Sequence, residues 1–294
     1  MKLKNKQNHN TRNYGYGSRV PEKAVQNACN HHYLSFSTAK QVAARFILLL
    51  KWCDKSNHTI KDLRSIDLEL VKKYAKDIQE KVVQETISIA TAHNYISSVN
   101  SVLEILRGDQ AIFVSTRYDT SIPNRSYIAT TNKASLEENI NPKDRIDVQK
   151  NLQRRLGMRF EESAKCDAVK LLSEATSKGI ITITAGTKGG RVRELSIYNP
   201  LQIEALRLAT TIQGNHRSLI PESMEYKAYQ RKCYRDKKNG TNFHPNRHFF
   251  AQKLYFEICG VECPVVLGIP HGSSHYKHIA TVLEISFNEA KALD

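Results

Sequence analysis

From Thr38 onward, Val42, Ala43, Phe46, Ile47, Leu50 and Cys53 recur three and four positions apart, with Lys40, Arg45 and Lys51 between them. That spacing predicts an amphipathic helix, because residues three or four apart share one face of a 3.6-residue turn. Asp67 offers an N-cap to a second helix whose apolar positions are Val71, Tyr74, Ala75, Ile78 and Val82. A third runs from about Thr86 to Leu106 and ends at Gly108, a residue that accepts the left-handed dihedrals of a helix terminus. Three or four such helices make a small bundle over residues 35–108. The third helix also carries Thr91, His93, Asn94, Ser97, Ser98 and Asn100. These short polar side chains either decorate a solvent face or approach phosphates and base edges.

Between residues 109 and 141 the periodicity gives way to Ser, Thr, Asn and Asp punctuated by Pro123 and, just beyond, Pro142, which predicts a linker. A second domain, residues 142–294, then opens with a helix from about Asp144 to Leu156, a break at Gly157, and a helix from Phe160 to about Ser177. The period switches to two at Ile181, Ile183 and Ala185, and a β-like run from Val192 to Ile197 follows the turn Thr187-Lys188-Gly189-Gly190. This predicts a hairpin with Lys188 at its tip. Asn199 and Pro200 suit the N-cap and first position of a helix from Leu201 to about Ile212. A polar stretch with Lys227, Arg231, Lys232, Arg235, Lys237 and Lys238 precedes a helix from His244 to about Cys259. The predicted fold class is mainly α with a small β-sheet: an N-terminal helical bundle followed by a mixed α/β domain.

Composition changes the picture chiefly through charge. The 294 residues are 40% hydrophobic and 25% charged, the makeup of a globular protein with room for two domains. The longest apolar run, Phe46 to Leu50, is too short to span a bilayer, and the polar N-terminus lacks an apolar signal core. A soluble cytoplasmic protein is the expectation. Lys and Arg number 44 against 29 acidic residues, a formal net charge of +15. Such an excess favours a polyanionic partner, nucleic acid first, because each phosphate neutralised by Lys or Arg releases counterions. The blander reading is that the charge only maintains solubility. Residues 1–34, with Lys2, Lys4, Lys6, Arg12, Arg19 and Lys23 and little periodicity, read as a basic flexible arm. The six cysteines are too dispersed for a disulfide scaffold and read as reduced thiols.

Four basic residues in the second half stand at turns or helix starts, where backbone N–H groups are free. Arg159 follows the Gly157-Met158 break, Lys188 tips the hairpin, and His244 and Arg247 open a helix three residues apart. A scissile phosphodiester requires such a set: two guanidiniums for the nonbridging oxygens and protonatable groups for the leaving 5′ oxygen. No metal or other cofactor is required by that chemistry.

Leu156-Gly157-Met158-Arg159-Phe160-Glu161-Glu162-Ser163, Gly186-Thr187-Lys188-Gly189-Gly190-Arg191 and His244-Pro245-Asn246-Arg247-His248-Phe249-Phe250-Ala251 occur in that order. Together, behind a helical bundle, they resemble the tyrosine recombinases, or phage-type integrases, over about residues 38–260. The resemblance implies a core-binding bundle and a catalytic domain that clamp double-stranded DNA, with a homotetramer on paired sites in the nucleoid. It implies that Arg159 and Arg247 hold the scissile phosphate, Lys188 protonates the leaving oxygen and His244 assists proton transfer, with His248 in a packing role. Candidate duplex contacts are Lys40 and Arg45, Thr91, Asn94 and Ser97, and Arg191.

The chain departs from the family at its last box. Leu267-Gly268 is followed by Ile269-Pro270-His271, and the position nine past His271, where the nucleophilic tyrosine belongs, is Ala280. Tyr276 is the nearest tyrosine, and Ser286-Phe287-Asn288-Glu289 opens a helix that the sequence follows only to Asp294. Three readings stay open: a catalytic domain incomplete at its C-terminus with the nucleophile beyond Asp294, an altered box using His271 and Tyr276, or a DNA-binding or regulatory protein that has lost cleavage. Cys259, Cys263, His271 and His275 also form two pairs with zinc-like spacing, set against a packed thiol pair with unrelated histidines.

Overall fold

The computed structural model describes residues 10–125, 142, 144–235 and 243–294. Lys2, Lys4, Lys6, Lys237, Lys238 and the predicted linker beyond residue 125 lie outside the described residues, save Pro142. The chain divides into two compact units, Met1–Arg125 and Ser126–Asp294.

The first unit is a four-helix bundle: α1 (Pro21–His32), α2 (Phe36–Lys55), α3 (Leu68–Val83) and α4 (Ile89–Arg107). Each of the three anticipated helices starts where a short side chain accepts a free backbone N–H: Ser35 from Thr38, Asp67 from Leu70 and Ser88 from Thr91. Gly108 closes α4 at φ 80°. The apolar stripes meet in one core containing Phe46, Leu49, Tyr74, Ile78, Ile96 and Leu103. Phe46 is fully buried, so Phe46→Ala is expected to cost about 3–5 kcal/mol through lost transfer energy and a cavity. Chemical denaturation of the chain, followed by far-UV circular dichroism, measures that loss.

Two expectations are corrected here. The stretch read as a basic arm contains α1, which buries Ala24, Val25, Ala28 and Cys29 in the core. Its small apolar residues at three- and four-residue steps were hidden among polar neighbours. The segment after α4 is likewise no free linker up to residue 125, since Ile112, Val114 and Ile122 enter the same core. The polar face of α4 holds it there. Asn100 donates to the Val114 carbonyl and accepts from its N–H, and His93 reaches the Pro123 carbonyl at 3.0 Å and Thr116 Oγ1 at 2.9 Å.

The second unit begins with α5 (Arg145–Leu156), α6 (Phe160–Lys165) and α7 (Ala168–Lys178), continues through the antiparallel hairpin β1 (Ile180–Ile183) and β2 (Arg193–Ser196), and then α8 (Pro200–Gln213) and α9 (Tyr226–Arg235). It ends with α10 (His244–Cys259), the short α11 (Pro264–Leu267), α12 (Ser273–Leu283) and α13 (Phe287–Leu293). The two-stranded hairpin is its sheet, in register Ile181 to Leu195 and Ile183 to Arg193. Leu152, Leu156, Met158, Ile181, Ile183 and Leu206 build its main core.

The helix anticipated from Phe160 to Ser177 is two helices. Cys166 is extended at ψ 146°, and the Asp167 carboxylate accepts from the Lys170 N–H to start α7. The apolar period continues across the break and concealed it. By contrast, Asn199 and Pro200 open α8 as expected, and the Gln202 side chain accepts from the Asn199 N–H in return.

Candidate active site

Two glycines explain how separate elements converge. Gly157 ends α5 with φ +57°, and a Cβ there would stand 2.3 Å from the Phe250 ring of α10. Gly186, at φ +72° on the loop after β1, would place a Cβ 2.5 Å from the Glu161 carbonyl oxygen. Only glycine allows α10 and the lysine hairpin to approach the start of α6 so closely. Gly157→Ala is accordingly expected to destabilise the second unit by about 2–4 kcal/mol, from left-handed strain plus the clash, measurable as a lowered denaturation midpoint.

Aromatic and amide side chains complete the frame. Phe160 and Phe243, each next in sequence to a candidate catalytic residue, stack edge-on with centroids 4.7 Å apart and join the N-termini of α6 and α10. From α5, Gln149 donates to the Phe160 carbonyl at 2.9 Å and Gln153 to Ser163 Oγ at 3.1 Å. Tyr229 of α9 donates to Gln149 Oε1 in turn. Arg154 lies over the Phe249 ring, 3.4 Å from its centroid.

Within this frame Arg159 and Arg247 come together around a buried carboxylate. Glu162, with its side chain fully buried, accepts from the Arg159 N–H at 2.7 Å, from Arg159 Nη1 at 2.6 Å and from Arg193 Nη2 at 2.8 Å. Arg247 Nη1 stands 3.9 Å from Glu162 Oε2 and donates instead to the Gly157 carbonyl, which Arg193 Nη2 also reaches at 3.1 Å. Burial pushes the Glu162 carboxyl up, but the bonds from Arg193 and Arg159 outweigh it and hold the group below the usual carboxylate range. Burial and the like charges of Arg159 and Arg193 lower Arg247 from its ordinary value. Three guanidiniums against one carboxylate leave a local excess of positive charge, and the Arg159 side chain remains 41% exposed. That arrangement is suited to receive an anion of phosphate geometry.

The other predicted residues fall into three groups. Lys188 is exposed at the hairpin tip, with Arg191 exposed beyond it, and among the described residues neither forms a hydrogen bond or ion pair. His244 is exposed at the start of α10 and meets His248 edge-on at 4.5 Å between centroids. Burial, then His244 and Arg247, lower His248 from its usual value. In the last box, His271 Nε2 lies 2.7 Å from Asp294 Oδ2, and Tyr276 is half-buried between the His271 and Phe287 rings.

In the first unit, Lys40 is exposed and Arg45 half-buried on α2. Thr91 is hydrogen-bonded to the cap residue Ser88, Asn94 accepts from Arg125 at 2.8 Å, and Ser97 is exposed. The zinc-like quartet is engaged otherwise. His275 is buried with Nδ1 at Asp294 and Nε2 at the Glu262 carbonyl, and Cys259 Sγ faces the Leu293 carbonyl. Among the described residues no group of three His, Cys, Asp or Glu side chains is placed to hold a metal. No helix among them is long and apolar enough to cross a membrane.

Glu162 and Arg193 were missed at the sequence level. Glu162 was visible as an acidic residue three positions after Arg159 at a helix start, the spacing of an N-terminal capping pair. Arg193 carried no local signal, because its partners lie in α6 and at the end of α5.

Residues 118–253 match the family profile described as Integrase. No curated protein matches the chain. One similar solved structure is the XerH site-specific recombinase bound to difH substrate in a pre-cleavage complex, at 16% identity and a TM-score of 0.43, covering 92% of this chain and 80% of that one. XerH bound to palindromic difH substrate in a post-cleavage complex has 17% identity and a TM-score of 0.46, covering 90% and 83%. The matched segment, which contains Arg159, Lys188, His244 and Arg247, is similar to the Integrase family, in keeping with the resemblance to the tyrosine recombinases.

Proposed function

We propose that this chain is a site-specific recombinase that breaks and rejoins double-stranded DNA. One observation carries the reading: Arg159 and Arg247, from separate helices, converge on Glu162 and Gly157 with their positive charge incompletely neutralised. A phosphodiester held there would have its nonbridging oxygens on two guanidiniums. A tyrosine hydroxyl attacks phosphorus and passes its proton to His244, the bond to the 5′ oxygen breaks, and Lys188 supplies the proton that oxygen needs. The 3′-phosphotyrosyl link retains the energy of the broken bond, so the free 5′ hydroxyl can reverse the step. The helical unit, with Lys40, Arg45, Thr91, Asn94 and Ser97, and Arg191 near the hairpin tip would grip the duplex. The working form would be a homotetramer on paired sites, in the cytoplasm at the nucleoid.

A second reading, a DNA-binding or regulatory protein without cleavage, is favoured by the last box. Ala280 occupies the position nine past His271, and Tyr276 packs into the cluster of Val261, Ile279 and Ala290. Incubation with a negatively supercoiled plasmid carrying the DNA that flanks the gene separates the two. A reversible covalent link yields relaxed closed circles without a nucleotide cofactor. Retarded but fully supercoiled plasmid supports the second reading, and nicked circles alone would contradict both.

A further inference from the structure

Arg193 is a β2 residue that neither the hairpin tip nor the family boxes account for, yet its guanidinium enters the centre of the arginine cluster. Nη2 donates to Glu162 Oε2 at 2.8 Å and to the Gly157 carbonyl at 3.1 Å, with the side chain 27% exposed. The oxygens of Glu162 are thereby occupied: Oε1 by Arg159 Nη1, and Oε2 by the Arg159 N–H and Arg193. Arg247, approaching the same Oε2, remains at 3.9 Å and makes its hydrogen bond to a neutral carbonyl.

A guanidinium beside an unoccupied carboxylate oxygen closes into a charge-assisted, often bidentate pair. Such a pair would spend on Glu162 the N–H groups and the charge that an incoming phosphate requires. We infer that Arg193 is a positioning residue that fills the Glu162 oxygen nearest Arg247 and so keeps the Arg247 guanidinium available to a phosphodiester. This rests on the proposed recombinase reading for its consequence in cleavage, but not for its consequence in anion contact. Arg193 donates both observed bonds through Nη2 and keeps its Nε buried, so the role inferred for it runs through Glu162 and Arg247.

The test uses the full chain with Arg193→Gln and Arg193→Lys, and reads two quantities. The first is the single-turnover cleavage rate of nicked duplex beside the duplex Kd. The second is the Nε–H resonance of Arg247, assigned with Arg247→Lys, before and after addition of a duplex oligonucleotide. Arg193→Gln is expected to lower cleavage at least tenfold with Kd changed less than threefold, and to abolish the duplex-induced shift of the Arg247 resonance. Arg193→Lys, which restores a cation to Oε2, is expected to recover most of both, whereas a merely structural arginine would not be rescued selectively in rate. The inference is overturned if Arg193→Gln leaves rate and resonance unchanged, or if rate and duplex affinity fall together without rescue by lysine. Should the native chain cleave no DNA, the recombinase reading fails and the resonance alone decides. An equal duplex-induced shift in native and Arg193→Gln chains then overturns the inference, and its selective loss upholds it.

Discussion

Arg247→Gln is expected to slow DNA strand cleavage by about 100- to 1,000-fold, on the order of 3 kcal/mol, the usual effect of removing one preorganised donor from a developing oxyanion. The loss concentrates in the chemical step because Arg247 is held by the Gly157 carbonyl and is only partly exposed, so its donors are aimed before DNA arrives. Duplex affinity should change by no more than a few-fold, since a chain of net charge +15 has many other phosphate contacts to share the binding. Single-turnover kinetics on a nicked duplex, with Kd measured at the same salt concentration, checks both halves. An equal fall in affinity would place Arg247 in general DNA grip instead.

Glu162→Ala should destabilise the fold strongly. The carboxylate is fully buried and bonded to two arginines with a third at 3.9 Å, so its removal leaves partly buried cations facing one another. Deleting one member of a buried ion network typically costs about 3–5 kcal/mol, which for a unit of this size lowers the melting temperature by roughly 10 °C. The same group predicts a pH dependence. Its folded pKa is depressed, so its contribution is complete above the unfolded carboxylate value and is lost as pH falls through the folded value. Native protein should therefore lose stability on acidification through the acid range, and Glu162→Ala should show a flatter profile there. Thermal melts of both chains at several pH values between neutral and about 3 measure the difference.

The sequence made legible whatever is local. The stripes of α2, α3 and α4, the Lys188 turn, the Asn199-Pro200 helix start and the run from His244 to Cys259 are all written in periods of 3.6 or 2 and in caps. Elements that depend on remote partners were not. The helix α1 reads as a basic arm until its small residues are seen buried, and the break between α6 and α7 hides because the apolar period survives the extended Cys166. At the site, Arg159 and Arg247 were nameable from their boxes. Their meeting depends on Glu162, on Arg193, and on two glycines whose absent side chains make room for Phe250 and for the Glu161 backbone. None of those contacts follows from spacing along the chain. On the polar face of α4, Thr91 also bonds Ser88 and Asn94 accepts from Arg125, contacts that spacing along the chain does not foretell.

The account stands most directly on whether the protein becomes covalently joined to DNA. Full-length protein from the native gene, incubated with end-labelled nicked duplexes tiled across the DNA flanking that gene, is run on a denaturing gel. An SDS-resistant adduct that disappears in Arg247→Gln, and that yields a phosphotyrosyl peptide on digestion, is the predicted result. Tight duplex binding with no adduct on any substrate would contradict cleavage and leave a DNA-binding protein on a recombinase scaffold.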